Sequence, residues 1–328
     1  MRLWNALTGF FSRKEPGTAL ALVRIIAGLA TFLTLEGVWR SGLIRMIWVD
    51  DDLGGYRDLR GEWLVQLLGG PTEGLMTGLT LAGMLGGLLL MLGLGGRLTA
   101  LVTLQLVLNT TDANSHTGGS YDELLSNTLW LLVLAPASHT LSLDCRLRTG
   151  SWRDDTPVVS WPRFLMMYQL VLMYFTTGVQ KVSAHWLPGG GFSALYFILQ
   201  QPTWQRWDHR WVAHVYPLTQ LGTAASWLWE VSSPLWLLAA LWAAPSDTPS
   251  RLRRAFNRWH VREVYLLLGL VFHLALTVLM DVGPFAICSL ALYPALYRHE
   301  DFAAAGRRLL RWYGELFKAR GVRGQESG

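Results

Sequence analysis

The chain alternates long apolar runs with short breaks rich in glycine, proline or arginine. Apolar stretches of roughly 16 to 26 residues recur at 18–38, 72–94, 98–113, 120–137, 162–181, 217–243, 263–281 and 283–298. A helix needs about 20 apolar residues to cross a hydrocarbon core about 30 Å thick. The pattern therefore predicts an all-α integral membrane protein of about eight transmembrane helices, two of them short. Ahead of the first run, MRLWNALTGFFSRKEPG combines basic residues with an apolar face, which predicts an interfacial amphipathic segment over residues 1–17. It shows no small-residue cleavage site, so no removable signal peptide is expected. Past residue 300 the apolar pattern stops, and 301–328 reads as a basic, helix-prone tail.

Charge orients this array. With the N-terminus inside, 20 of the 28 Lys and Arg residues fall on inside segments, among them Arg251, Arg253, Arg254, Arg258 and Arg262. The outside segments hold Arg40, Arg45, Arg57, Arg60, Lys181, Arg206 and Arg210, while Arg24 sits within the first run. The positive-inside rule then predicts cytoplasmic termini and puts Lys181 at the outer leaflet. A content of 51% hydrophobic and 16% charged residues argues against a soluble globule. The net charge of +5 comes with no nucleic-acid motif, so the arginines read as topology signals and contacts to anionic lipids. Cys145 and Cys288 lie too far apart in this topology to pair, and no metal site is expected. GGPTEG and GGLLLMLGLGG lack the preceding strand and following lysine of a phosphate loop; their glycines suit close helix packing in lipid.

Polar residues inside apolar runs are costly and become candidates for function. The fifth run ends on Lys181, followed by His185, Trp186, Pro188 and three glycines before a second apolar stretch, FSALYFIL. A lysine there either snorkels to water or sits in a partly dry pocket that favours the neutral, basic amine. Glu230 lies about halfway along the sixth run, in SWLWEVSSPLWLL, where a carboxylate must be protonated or paired. Arg24 and Glu36 of the first run are candidate partners, although both cannot reach one mid-membrane site. A helix-to-helix tie and a functional role weigh equally for Glu230. His273 stands near the middle of the seventh run, as either a satisfied core histidine or a cavity residue. Trp186, Trp204, Trp207 and Trp211 suit an interfacial aromatic belt or the entrance to a site beside Lys181.

Three segments carry a family resemblance. YFTTGVQK, from Tyr174 to Lys181 with the following tryptophan and glycines, resembles the core motif of the vitamin K-dependent gamma-carboxylase superfamily, whose transmembrane part is the HTTM domain. The pattern FH, ten residues, then GxF, on His273, Gly283 and Phe285, resembles a later motif of that domain. The stretch NTTDANSHTGGSYDELLSNTLWLLVLAPASHTLSLD resembles a third, ending on Ser142, Leu143 and Asp144. The animal carboxylases carry an Asn-His pair at its first turn; here Gly118 and Gly119 stand there, with Asn114 and His116 upstream, so no catalytic histidine carries over. The resemblance covers about residues 18–300. The animal enzymes continue into a large lumenal portion that this chain does not match, so no built-in site for capturing a protein substrate is expected.

The resemblance implies an HTTM-type bundle, of compact bacterial type and in a bacterial inner membrane, acting on reduced vitamin K or another quinol. Lys181 is implied as the base and His273 as its companion, with Glu230, Trp186, His185 and Tyr174 around the cofactor. In the family's chemistry the deprotonated quinol reacts with dioxygen, the resulting alkoxide removes a glutamyl gamma proton, and carbon dioxide adds. The expected partners are membrane lipids, the lipid-soluble quinone and a protein substrate or partner outside the membrane. Coupling to glutamyl carboxylation stays open. So do two other classes: a non-carboxylating quinone-binding redox component, and a transporter or membrane scaffold using Glu230 and His273.

Overall fold

The computed structural model describes residues 2–55, 62–114 and 116–323, and the described chain is mostly helical. Helix α1 (Arg2–Ser12) leads into β1 (Lys14–Pro16), which pairs antiparallel with β2 (Pro157–Val159), Glu15 opposite Val158. The first five apolar runs form α2 (Thr18–Ser41), α3 (Glu73–Leu92), α4 (Gly96–Thr111), α5 (Ser120–Leu134) and α6 (Trp161–Gln180). The sixth is split into α7 (Tyr216–Val231) and α8 (Pro234–Trp242). An arginine-rich helix, α9 (Arg251–Arg258), precedes the seventh, α10 (Val261–Leu279). The eighth holds only α11 (Phe285–Leu290) and a 3-10 turn, Tyr293–Leu296, and α12 (His299–Arg323) forms the tail. Arg57, Arg60 and tail residues 324–328 lie outside the described residues.

By length and composition, α2, α3 and α10 are each apolar enough to cross a membrane. The sixth run is continuous in hydrophobicity but not in helix, because Ser232, Ser233 and Pro234 interrupt it. Pro234 lacks the amide that would extend α7 and restricts Ser233 before it. Ser233 Oγ meanwhile donates to the Val171 carbonyl of α6 at 3.2 Å.

Helix α2 is central, packed along α3 and touching α5, α11 and the 293–296 turn. A Cβ on Gly28 would fall 2.6 Å from the Gly87 carbonyl oxygen, so the α2 and α3 backbones touch where both helices carry glycine. Leu20, Val23, Leu90, Leu104, Leu129, Met166 and Trp236 fill the core around this contact. Four buried threonine hydroxyls are satisfied within their own helices: Thr31, Thr34, Thr80 and Thr128 each donate to the carbonyl four residues back.

Neither first-run candidate partners Glu230. Buried Arg24 donates to the Met91 and Leu90 carbonyls at the end of α3, to Ala137 at 3.1 Å and to Leu141 at 2.6 Å. The Leu90 carbonyl also accepts the Gly93 amide at 2.9 Å, and both carbonyls lie at the negative end of the helix dipole, which a guanidinium suits. Glu36 pairs with Arg40, four residues on, at 3.2 Å.

The outer face of α10, with Leu267, Leu268, Val271, Leu274 and Val278, is exposed, as are Leu218, Leu221 and Leu228 of α7. A continuous apolar face of this extent suits lipid rather than water.

Candidate functional site

Helix α6 ends at Gln180, with Lys181 as its C-terminal cap and the Lys181 amide donating to the Gly178 carbonyl at 3.3 Å. A Cβ on Gly178 would lie 2.8 Å from the Val231 nitrogen and 2.9 Å from Glu230 Cβ. The missing side chain therefore lets α6 and α7 cross in backbone contact one turn before Lys181. At that crossing the Lys181 ammonium donates directly to Glu230 Oε2. The Glu230 side chain is 3% exposed and that of Lys181 16%, so the lysine is the member that reaches the surface. Glu230 also sits one residue from the C-terminal end of α7, where a negative charge opposes the helix dipole. The ammonium compensates both that field and the burial.

After Lys181 the chain turns through two 3-10 turns, Ala184–Trp186 and Pro188–Gly190, into a short helix, Ala194–Leu199. This doubling back lays the Trp186 ring 4.3 Å from Lys181 Nζ, a cation–π contact. Lys181 and Trp186 line a cavity of about 310 Å³ together with Ser226, Trp229, Phe272 and aliphatic side chains of α10. Lys181 is its one charged lining residue. Leu268 and Val271, on the exposed face of α10, belong to the same lining, so the cavity reaches the molecule's apolar exterior.

Behind that aromatic wall lies a second polar group. Tyr174 OH is 2.6 Å from His273 Nε2 and 3.0 Å from Tyr293 OH. The Trp229 ring separates this trio from the cavity, 4.5 Å from the Tyr174 ring and 5.2 Å from that of Phe272. Phe285 packs 5.6 Å from His273, so two residues of the FH…GxF pattern meet. His273 Nδ1 is buried with no hydrogen-bond partner.

The six sequence candidates thus separate into three places. Lys181 and Trp186 line the cavity, with Glu230 directly behind the lysine. Tyr174 and His273 form the inner cluster and do not line the cavity. His185 Nδ1 is 2.8 Å from Ser193 Oγ, with its ring against Phe197, beside an adjoining cavity of about 250 Å³ that shares Trp186 and Ile198. Trp204, Trp207 and Trp211 stand exposed and do not line the lysine's cavity, and Trp207 donates to the Val278 carbonyl at 2.6 Å. Asn114 donates to the Ile47 and Gly54 carbonyls, while His116 is exposed, so neither joins the site.

Sequence reasoning missed Trp229, Phe272, Tyr293 and Gly178. Trp229 and Phe272 adjoin Glu230 and His273 in sequence, and Gly178 stands three residues before Lys181. Adjacency to a costly polar residue was the available signal; Tyr293 had none.

A helical chain with membrane-length apolar helices and an apolar outer face has the character of a membrane protein. A family model for the HTTM domain matches residues 12–201, more than half the chain, and the protein belongs to that family. The match includes Tyr174, Lys181, His185 and Trp186 and stops before Glu230 and His273. No curated protein and no solved structure matches the chain.

Proposed function

We propose that this HTTM protein is a membrane enzyme of the vitamin K-dependent carboxylase type that accepts a reduced, lipid-soluble quinone from the bilayer and removes a hydroxyl proton with Lys181. The observation that carries the reading is the Lys181–Glu230 pair at the wall of an otherwise apolar, aromatic cavity reaching the lipid-facing side of α10. The residues fit such a molecule. The volume falls at the lower end of the range for ligand pockets, about 300–1,000 Å³, and Trp186, Trp229 and Phe272 offer ring faces to a flat aromatic head.

The pair supplies a route for the proton. Transfer within it, from ammonium to carboxylate, leaves an amine on Lys181 and a neutral acid on Glu230. The amine takes the hydroxyl proton, and the ammonium so formed balances the anion left on the substrate while Glu230 keeps its proton. Dry walls strengthen that charge pairing. Tyr174 and His273 act behind Trp229 by fixing the wall that faces the substrate. When bound, the reduced quinone supplies the electrons for the reaction with dioxygen. Carboxylation of a glutamyl side chain, on a protein substrate or partner at the outer surface, belongs to the same reading. The topology that accompanies it is eight spans in a bacterial inner membrane, with both termini cytoplasmic and residues 1–17 at the interface.

The test is oxygen-dependent turnover of reduced vitamin K by purified protein in lipid nanodiscs, with epoxide scored by mass spectrometry. Product from the wild type and none from folded Lys181→Ala supports the proposal. Equal product from both removes Lys181 as the base, and none from folded wild type removes the quinol reading.

A further inference from the structure

A larger cavity, about 790 Å³, lies at the opposite end of α10 from Lys181, bounded also by α2, α8, α9, α11 and α12. Its inner walls are apolar, with Ile26, Leu266, Leu270 and Leu290 among them, and its mouth is polar. At the mouth Arg262 donates to Asp301 at 2.8 and 3.0 Å and to Glu263 at 3.0 and 2.8 Å. Two carboxylates thus share one guanidinium, leaving an excess negative charge. On the same mouth Arg308 is exposed and makes no ion pair among the described residues. Between the charged mouth and the apolar interior, Tyr297 stacks its ring 4.4 Å from the Arg262 guanidinium and buries a hydroxyl with no hydrogen-bond partner.

A cavity of this size with apolar inner walls has room for an acyl chain. We propose that this cavity binds one zwitterionic aminophospholipid. Its acyl chain lies along Ile26, Leu266, Leu270 and Leu290; its phosphate meets Arg308; its ammonium meets the Glu263 and Asp301 carboxylates. One surplus charge of each sign at a single mouth matches a headgroup carrying one of each, whereas an anionic lipid would leave the carboxylates unmatched. The site is distinct from the quinol cavity: α10 contributes to both, but the two linings share no residue.

Native mass spectrometry of the full-length protein, delipidated in mild detergent and then offered equimolar phosphatidylethanolamine and phosphatidylglycerol, tests this directly. The wild type should retain one phosphatidylethanolamine in preference to phosphatidylglycerol. Arg308→Gln should lower that occupancy about fivefold, the worth of one net hydrogen bond. Ala304→Trp, which fills the mouth, should abolish it, with melting temperatures confirming that each variant is folded. Preference for phosphatidylglycerol would overturn the headgroup assignment. Undiminished phosphatidylethanolamine in folded Ala304→Trp would overturn the site.

Discussion

The Lys181–Glu230 pair owes its energetics to the unequal exposure of its members, 16% against 3%. Removing the lysine strands a carboxylate with no path to water, whereas removing the carboxylate leaves an ammonium that can turn outward over Trp186. Lys181→Ala should therefore destabilise by on the order of 2 kcal/mol, below the roughly 3–5 of a fully enclosed pair, and Glu230→Gln by less. The double variant Lys181→Ala/Glu230→Gln should lose less stability than the sum of the single losses. Thermal melts in detergent check this, and strict additivity would mean that the pair does not interact. Gly178→Ala tests the crossing that creates the pair: its new methyl meets the Val231 nitrogen at 2.8 Å, so α6 and α7 must separate. A loss of about 1–3 kcal/mol is expected, together with loss of quinol turnover at an unchanged Lys181. That Glu230 would be paired and His273 buried was legible in the sequence because each is a polar residue in a hydrocarbon-length run. Which pairs with which was not. Apolar periodicity does not encode which helices cross, and nothing in the spacing of positions 181 and 230 announces that a glycine at 178 brings them together.

Among the elements, α3 depends on a side chain from another helix. Its last carbonyls receive Arg24, so Arg24→Leu should cost about 3 kcal/mol by taking the donor from the Met91, Ala137 and Leu141 carbonyls. Reduced yield and a lower melting temperature are the expected outcome, while Arg24→Lys, with fewer donors, recovers only part of the loss. The loop between α5 and β2 relies on Asp154. Hydrogen bonds from Thr156, reinforced by Arg148 at 3.0 Å, hold its carboxyl below the usual carboxylate range. A depressed folded-state pKa contributes stability that is present above the unfolded value, about 3.9, and lost as pH falls below it. Wild-type melting temperature should therefore drop more steeply than that of Asp154→Asn on acidification below about pH 4; parallel curves would show that this carboxylate is not linked to folding. Element existence was largely legible, since each apolar run contains helix. The interruption at Ser232–Pro234 was written in the sequence as Ser-Ser-Pro, but continuous hydrophobicity on both sides masked it. The short β1–β2 ribbon was not legible, because three-residue strands carry no period.

For the whole molecule, orientation follows from charge and from which ends of the helices meet. The Lys181 cavity and the Arg262 cavity lie toward opposite ends of α10, and the arginines at 251, 253, 254, 258 and 262 cluster at the latter end. If that end faces the cytoplasm, as the positive-inside rule requires, the Lys181 cavity opens toward the outer leaflet and the Arg262 cavity toward the inner one. Exposed positions make the arrangement measurable. Val182, beside the lysine, is 79% exposed, and Leu147, in the segment between α5 and β2, is 76% exposed. Both native thiols are buried, so replacing them with alanine gives a clean background for single cysteines at either position. A membrane-impermeant maleimide added to intact spheroplasts should label Val182→Cys and spare Leu147→Cys until the membrane is opened. The reverse pattern would invert the molecule and move the Lys181 cavity to the inner leaflet. Equal labelling of both would place positions 147 and 182 on one side, contradicting a fifth span between them and with it the eight-span topology.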